Sequence, residues 1–173
     1  MKRGFTLIEL LVVVAIIGML SSVVLASLNT ARSTARTTTA VQDLKQLQTA
    51  LELYYNDNNA YPSSIGGSGS WDGLYSNWGD DTANWIAGLA PTYIAALPRS
   101  PNNSTSGADN YIYNSNGQNY KLLWHSPEDC DGIKMRIPSV LDPKRDGGSN
   151  DSVQEYGGYC WAIGIWTEGA VSW

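Results

Sequence analysis

Glu9 is the only charged side chain between Phe5 and Leu28, in a run that is otherwise almost wholly apolar. A carboxylate in lipid costs up to about 2.5 to 3.5 kcal/mol at the bilayer centre and less toward an end. It persists where it reaches the interface or has a partner. One partner lies within covalent reach. A cut after Gly4 would turn Phe5 into an N-terminal ammonium, four residues from Glu9 and near it on a helix. A buried positive charge would then exist to neutralise the buried negative one.

The other reactive residue types form no catalytic constellation. His125 is the only histidine, so neither a metal centre nor acid–base chemistry is indicated around it. Gly66-Gly67-Ser68-Gly69-Ser70 lacks the lysine and the strand-to-helix setting of a phosphate-cradling loop. The sequence therefore predicts no enzyme. The segment from Ser126 to Gly157 collects Glu128, Asp129, Asp131, Asp142, Asp146 and Asp151 without EF-hand spacing, and reads first as a solvated acidic loop. The chain has a formal charge of −5, which gives no basic footprint for nucleic acid. Its aromatic residues are 7 Trp and 10 Tyr against 1 Phe, a set that suits packing between molecules as well as inside them.

The elements that must position these groups begin with the apolar run. It is longer than the roughly 20 residues a bilayer core requires and reads as a membrane helix. Lys2 and Arg3 favour a cytoplasmic start, and Arg32 and Arg36 soften that asymmetry. An ordinary secretory signal ending near Leu25-Ala26-Ser27 fits less well, because its core would be shorter and free of acid. No proline occurs before Pro62, and Val41, Leu44, Leu47, Leu51 and Tyr54 or Tyr55 recur at helical spacing, so one helix is expected from Phe5 to about Asp57. With the chain beyond Leu28 exported, Cys130 and Cys160 are candidates for a disulfide, free buried thiols being the alternative.

Beyond the helix, Asp81 or Thr82 could cap a short helix carrying Trp85, Ile86 and Leu89, stopped near Pro91. Asn116-Gly117 between two Tyr-rich runs signals a hairpin. Gly158 to Trp166 reads as a third strand, turned at Glu168-Gly169 into a fourth at Ala170 to Trp173. The expected fold class is α+β, a long helix against a four-stranded antiparallel sheet, with Tyr159, Trp161, Ile163 and Ile165 on the helix side.

The string Lys2-Arg3-Gly4-Phe5-Thr6-Leu7-Ile8-Glu9 leading into Leu/Val/Ile resembles the class III signal of type IV pilins and type II secretion pseudopilins. Tyr61-Pro62 resembles the Tyr-Pro that comes after the long helix in that family, and Tyr93 to Pro101 its Tyr-Leu-x-x-Leu-Pro-x-x-Pro pattern. The resemblance implies a leader at 1–4, a membrane and filament-core helix at 5–28, its amphipathic half at 29–59 and a head at 60–173. It implies cleavage between Gly4 and Phe5 by a prepilin peptidase, N-methylation of Phe5, and Glu9 as an assembly residue. The implied partners are the membrane, copies of the chain in a helical filament, and an assembly platform with its motor. The implied location is the inner membrane as a single-pass precursor, then an extracellular pilus or a periplasmic pseudopilus.

A pilus subunit is the first functional reading, and a secretion pseudopilin or minor pilin the second. A membrane-tethered adhesion module using exposed Trp and Tyr is the reading from another class. The resemblance also offers calcium to the acidic loop through Asp142, Asp146, Asn150 and Asp151; no other cofactor is implied. Many pilins carry a proline in the first half of the helix. This chain has none there, and Gly18, Ser21 and Ser22 are its only soft point.

Overall fold

A helix of 52 residues, α1 (Leu7–Asn58), runs the length of the molecule in the computed structural model, which describes residues 6–65, 70–74, 83–102, 110–125, 127–144 and 161–173. At 1.5 Å per residue it is about 78 Å long. Thr6 caps its start, and Asn59 ends it in the left-handed region at φ 54°, its N–H donating to the Tyr55 carbonyl at 2.8 Å. Burial begins only at Thr37 and then follows the expected stripe through Ala40, Leu44, Leu47, Ala50 and Leu51, with Val41, Tyr54 and Tyr55 at its margins. An apolar side chain every three or four residues gives one covered face, and the sheet covers it.

That sheet has the order β1-β2-β3, from β1 (Tyr111–Ser115), β2 (Tyr120–His125) and β3 (Ala162–Trp166), all antiparallel. Successive residues along each strand alternate faces. Tyr111, Tyr113, Tyr120, Leu122, Trp124 and Ile163 meet the helix stripe, joined by Trp85, Ile86 and Leu89, with Ile165 at the edge. Ile112, Leu123 and Ala162 form a smaller cluster with Trp71 on the other face. The β1–β2 connection is the Asn116-Gly117 turn. Gly117 has φ 85°, and the Asn116 side-chain oxygen accepts from the N–H groups of Gln118 and Asn119 at 3.0 and 2.8 Å.

The sheet has three strands among the described residues, not four. Where the fourth was expected, Glu168–Ala170 forms a 3-10 turn, with the Ala170 N–H donating to the Thr167 carbonyl at 2.9 Å. The main-chain oxygens of Val171 and Trp173 are taken by the buried Lys121 ammonium, which curls the segment inward instead of laying it along β3. Residues 83–93 form turns, not a helix, although Trp85, Ile86 and Leu89 are buried as expected. Gly88 sits at φ 77° against the Tyr54 ring, a conformation no regular helix contains. Trp161 is half-buried with its ring 5.6 Å from that of His125, and is not part of the cluster on the helix stripe. Asp81, Thr82 and Tyr159 lie outside the described residues.

One helix was not legible in the acidic segment: α2 (Cys130–Arg136), capped by Asp129, whose side chain accepts from the Gly132 N–H at 3.2 Å. Seven polar-rich residues carry too weak a period to stand out.

Candidate functional site

The site that the sequence singles out is the N-terminal half of α1. Its large apolar side chains from Leu7 to Leu28 are between 42% and 85% exposed, and none contributes to the core. So contiguous an apolar surface requires lipid or other protein around it. This half has the length and composition of a membrane span, and none of that stretch is buried inside the molecule.

Glu9 stands at its beginning. Gly4 and Phe5 lie outside the described residues, so the spacing of Glu9 from the scissile bond rests on sequence. Within the described chain Glu9 closes a capping box: the Thr6 N–H and hydroxyl donate to its Oε2 at 2.8 and 2.7 Å, and its own N–H donates to the Thr6 hydroxyl at 3.3 Å. The Thr-x-x-Glu spacing is the signal for this box in the sequence. The carboxylate thus has local donors even in an apolar setting, which lowers the cost of keeping it there.

The head grips α1 from Thr34 onward. The Thr34 hydroxyl donates to Asp129 Oδ2 at 3.1 Å, and Arg36 forms an ion pair with Glu128. Arg136 pairs with Asp129 from the last turn of α2. Burial works against the Asp129 charge, but Arg136, Thr34 and the Gly132 N–H together hold its pKa below the ordinary aspartate value. Pairs this far apart in the chain leave no mark in the sequence.

Cys130, the first residue of α2, is disulfide-bonded, and Cys160 lies outside the described residues. Of the four residues proposed for calcium, only Asp142 is described; Asp146, Asn150 and Asp151 are not. Asp142 does not fit the ion. Its Oδ1 lies 2.6 Å from the Lys121 Nζ, and both side chains are fully buried, so a divalent cation on this carboxylate would press against an ammonium. Among the described residues no group of three or more His, Cys, Asp or Glu side chains is placed to hold a metal ion.

Comparison with known proteins agrees with this layout. The family described as a prokaryotic N-terminal methylation motif matches residues 1–25. The family described as type II secretion system (T2SS), protein G, matches residues 27–129, more than half of the chain. The chain belongs to the type II secretion protein G family.

Curated relatives in this family bear the name type II secretion system core protein G. That of Pectobacterium carotovorum is 44% identical over 63 residues, 36% of this chain and 40% of the relative. That of Pseudomonas aeruginosa is 44% identical over 63 residues, 36% of this chain and 44% of the relative. That of Vibrio cholerae is 36% identical over 100 residues, 58% of this chain and 65% of the relative. The matches thus span about two fifths of the first relatives' length. No solved structure matches the chain. The protein G match ends at Asp129, where the head's grip on α1 is made; it includes β1 and β2, and β3 lies beyond it.

Proposed function

We propose that this protein is a pseudopilin, the fibre-building subunit of a type II secretion apparatus. Prepilin peptidase cuts it between Gly4 and Phe5, the new amino group is methylated, and copies polymerise through their N-terminal helices. The observation that carries the reading is the exposed apolar half of α1, with one carboxylate at its start and a head that leaves it uncovered. In the membrane that half is an anchor. In a fibre the same half packs against its copies, and Glu9 meets the Phe5 ammonium of a neighbour, neutralising two charges that an apolar interior tolerates badly. Of the two filament readings, membership of the protein G family favours secretion over a surface pilus.

The test is mass spectrometry of the protein extracted from membranes of its native host, with and without the prepilin peptidase. The expected chain begins at Phe5, bears one methyl group, and keeps Met1–Gly4 when the peptidase is absent. A chain that starts at Met1 in both strains would remove the processing step on which polymerisation rests. Deleting the gene is expected to block export of folded proteins and leave surface pili intact; the opposite result would return the subunit to a pilus.

A further inference from the structure

Lys121 lies in the middle sheet strand, where alternation places it beside Leu123 on the face turned away from α1. Its side chain is fully buried. An ammonium taken out of water is costly unless it is paired and hydrogen-bonded. Here the Nζ lies 2.6 Å from Asp142 Oδ1 and donates to the main-chain oxygens of Val171 at 3.0 Å and Trp173 at 2.9 Å. The Trp166 ring closes the fourth side, its centroid 5.4 Å away.

These oxygens come from two segments outside the three strands. Asp142 comes directly after Leu141, which makes an isolated bridge to Ile163, and the Asp142 N–H donates to the Ala162 carbonyl at 3.1 Å. Val171 and Trp173 lie just past the 3-10 turn after β3. A carboxylate combined with main-chain carbonyls is also the donor set that a hard divalent cation takes. The ammonium stands among them at hydrogen-bonding distance, and two like charges cannot share one buried carboxylate at that range.

We propose that the Lys121 ammonium is the resident cation of this end of the head. It ties the segment around Asp142 and the segment 171–173 to β2, as a bound divalent ion would. Asp142 is therefore no calcium ligand, because the ammonium already occupies its carboxylate. The inference concerns the folding of the head and does not depend on the polymerisation reading; the mature N-terminus tests that reading separately.

Thermal unfolding of the full chain in detergent, in excess calcium and in chelator, tests the proposal. The wild-type Tm is expected to be the same in both. A calcium-dependent rise that persists in Asp142→Asn would place the ion elsewhere and leave the proposal standing. A rise that Asp142→Asn abolishes would make Asp142 a calcium ligand and overturn it. Lys121→Met is expected to lower Tm by roughly 10 °C or more, because it strands a buried carboxylate. The double variant Lys121→Met/Asp142→Asn should recover part of that loss. An unchanged Tm in Lys121→Met would also overturn the proposal. If Lys121→Met does not fold, the calcium comparison between wild type and Asp142→Asn still decides.

Discussion

At the scale of single residues, two aspartates at the contact between α1 and the head, Asp129 on the head side and Asp43 within α1, respond to acid in opposite senses. Asp129 has its pKa held down by Arg136, Thr34 and Gly132 against the effect of burial. Its stabilisation is present above the ordinary value of 3.8 and is lost as pH falls through the lower folded value. Asp129→Ala removes the cap of α2 and the Thr34 contact, and should cost about 1 to 2 kcal/mol at neutral pH. Urea unfolding at pH 7 and in strong acid should show the gap between variant and wild type narrowing in acid; a gap independent of pH would refute the charge argument. Asp43 is the converse. Burial raises its pKa, and the Tyr111 hydroxyl, donating to its Oδ2 at 2.7 Å, offsets part of that rise. Its charge is unfavourable once pH climbs past the unfolded value, so its contribution is best at low pH and declines through the folded pKa. Tyr111→Phe takes away the compensating donor and should destabilise by about 1 to 2 kcal/mol at pH 7, and less at pH 3. The same denaturation series measures it. Glu9 was legible in the sequence because a charge in an apolar run is conspicuous. Lys121 was not: a lysine in a strand reads as surface, and its carboxylate and carbonyl partners come from segments far along the chain.

At the scale of elements, legibility follows the range of the forces involved. The stripe of α1 and the Asn116-Gly117 hairpin depend on local periodicity and turn chemistry, and both are as the sequence indicates. The absent fourth strand and the turns at 83–93 involve distant partners, Lys121 for the first and the Tyr54 ring for the second, whereas α2 is capped locally by Asp129 and is too short for its period to stand out. Two glycines separate backbone cost from steric cost. Gly117 has φ 85° and open space where a Cβ would stand, so Gly117→Ala should cost only about 1 kcal/mol, through conformation alone. A Cβ on Gly164 would fall 2.2 Å from the Leu122 carbonyl oxygen and 2.5 Å from Leu123 Cδ2. The obstruction is the backbone of the neighbouring strand, which cannot yield without parting β2 from β3. Gly164→Ala should therefore cost about 3 kcal/mol or more. Equal losses for the two variants in chemical denaturation would contradict this account of the sheet.

At the scale of the whole molecule, the stability of the head and the proposed assembly fall to different ends of α1. Core burial starts at Thr37 and the head's first polar contact is at Thr34, while the apolar side chains from Leu7 to Leu28 stay exposed. Removing residues 1–28 therefore deletes no described contact with the head. The remaining chain should be soluble without detergent and unfold within about 1 kcal/mol of the intact protein, since surface changes away from packed contacts rarely cost more. Glu9→Ala should likewise leave the Tm of the head unchanged, because the described hydrogen bonds of its carboxylate are all to Thr6. In the intact chain, however, the same substitution removes the carboxylate that the proposed fibre contact requires. The expected result is a processed, membrane-held, folded subunit that forms no fibres by electron microscopy. Fibres from Glu9→Ala would detach assembly from this charge, and a lower Tm would show that the anchor half supports the head after all.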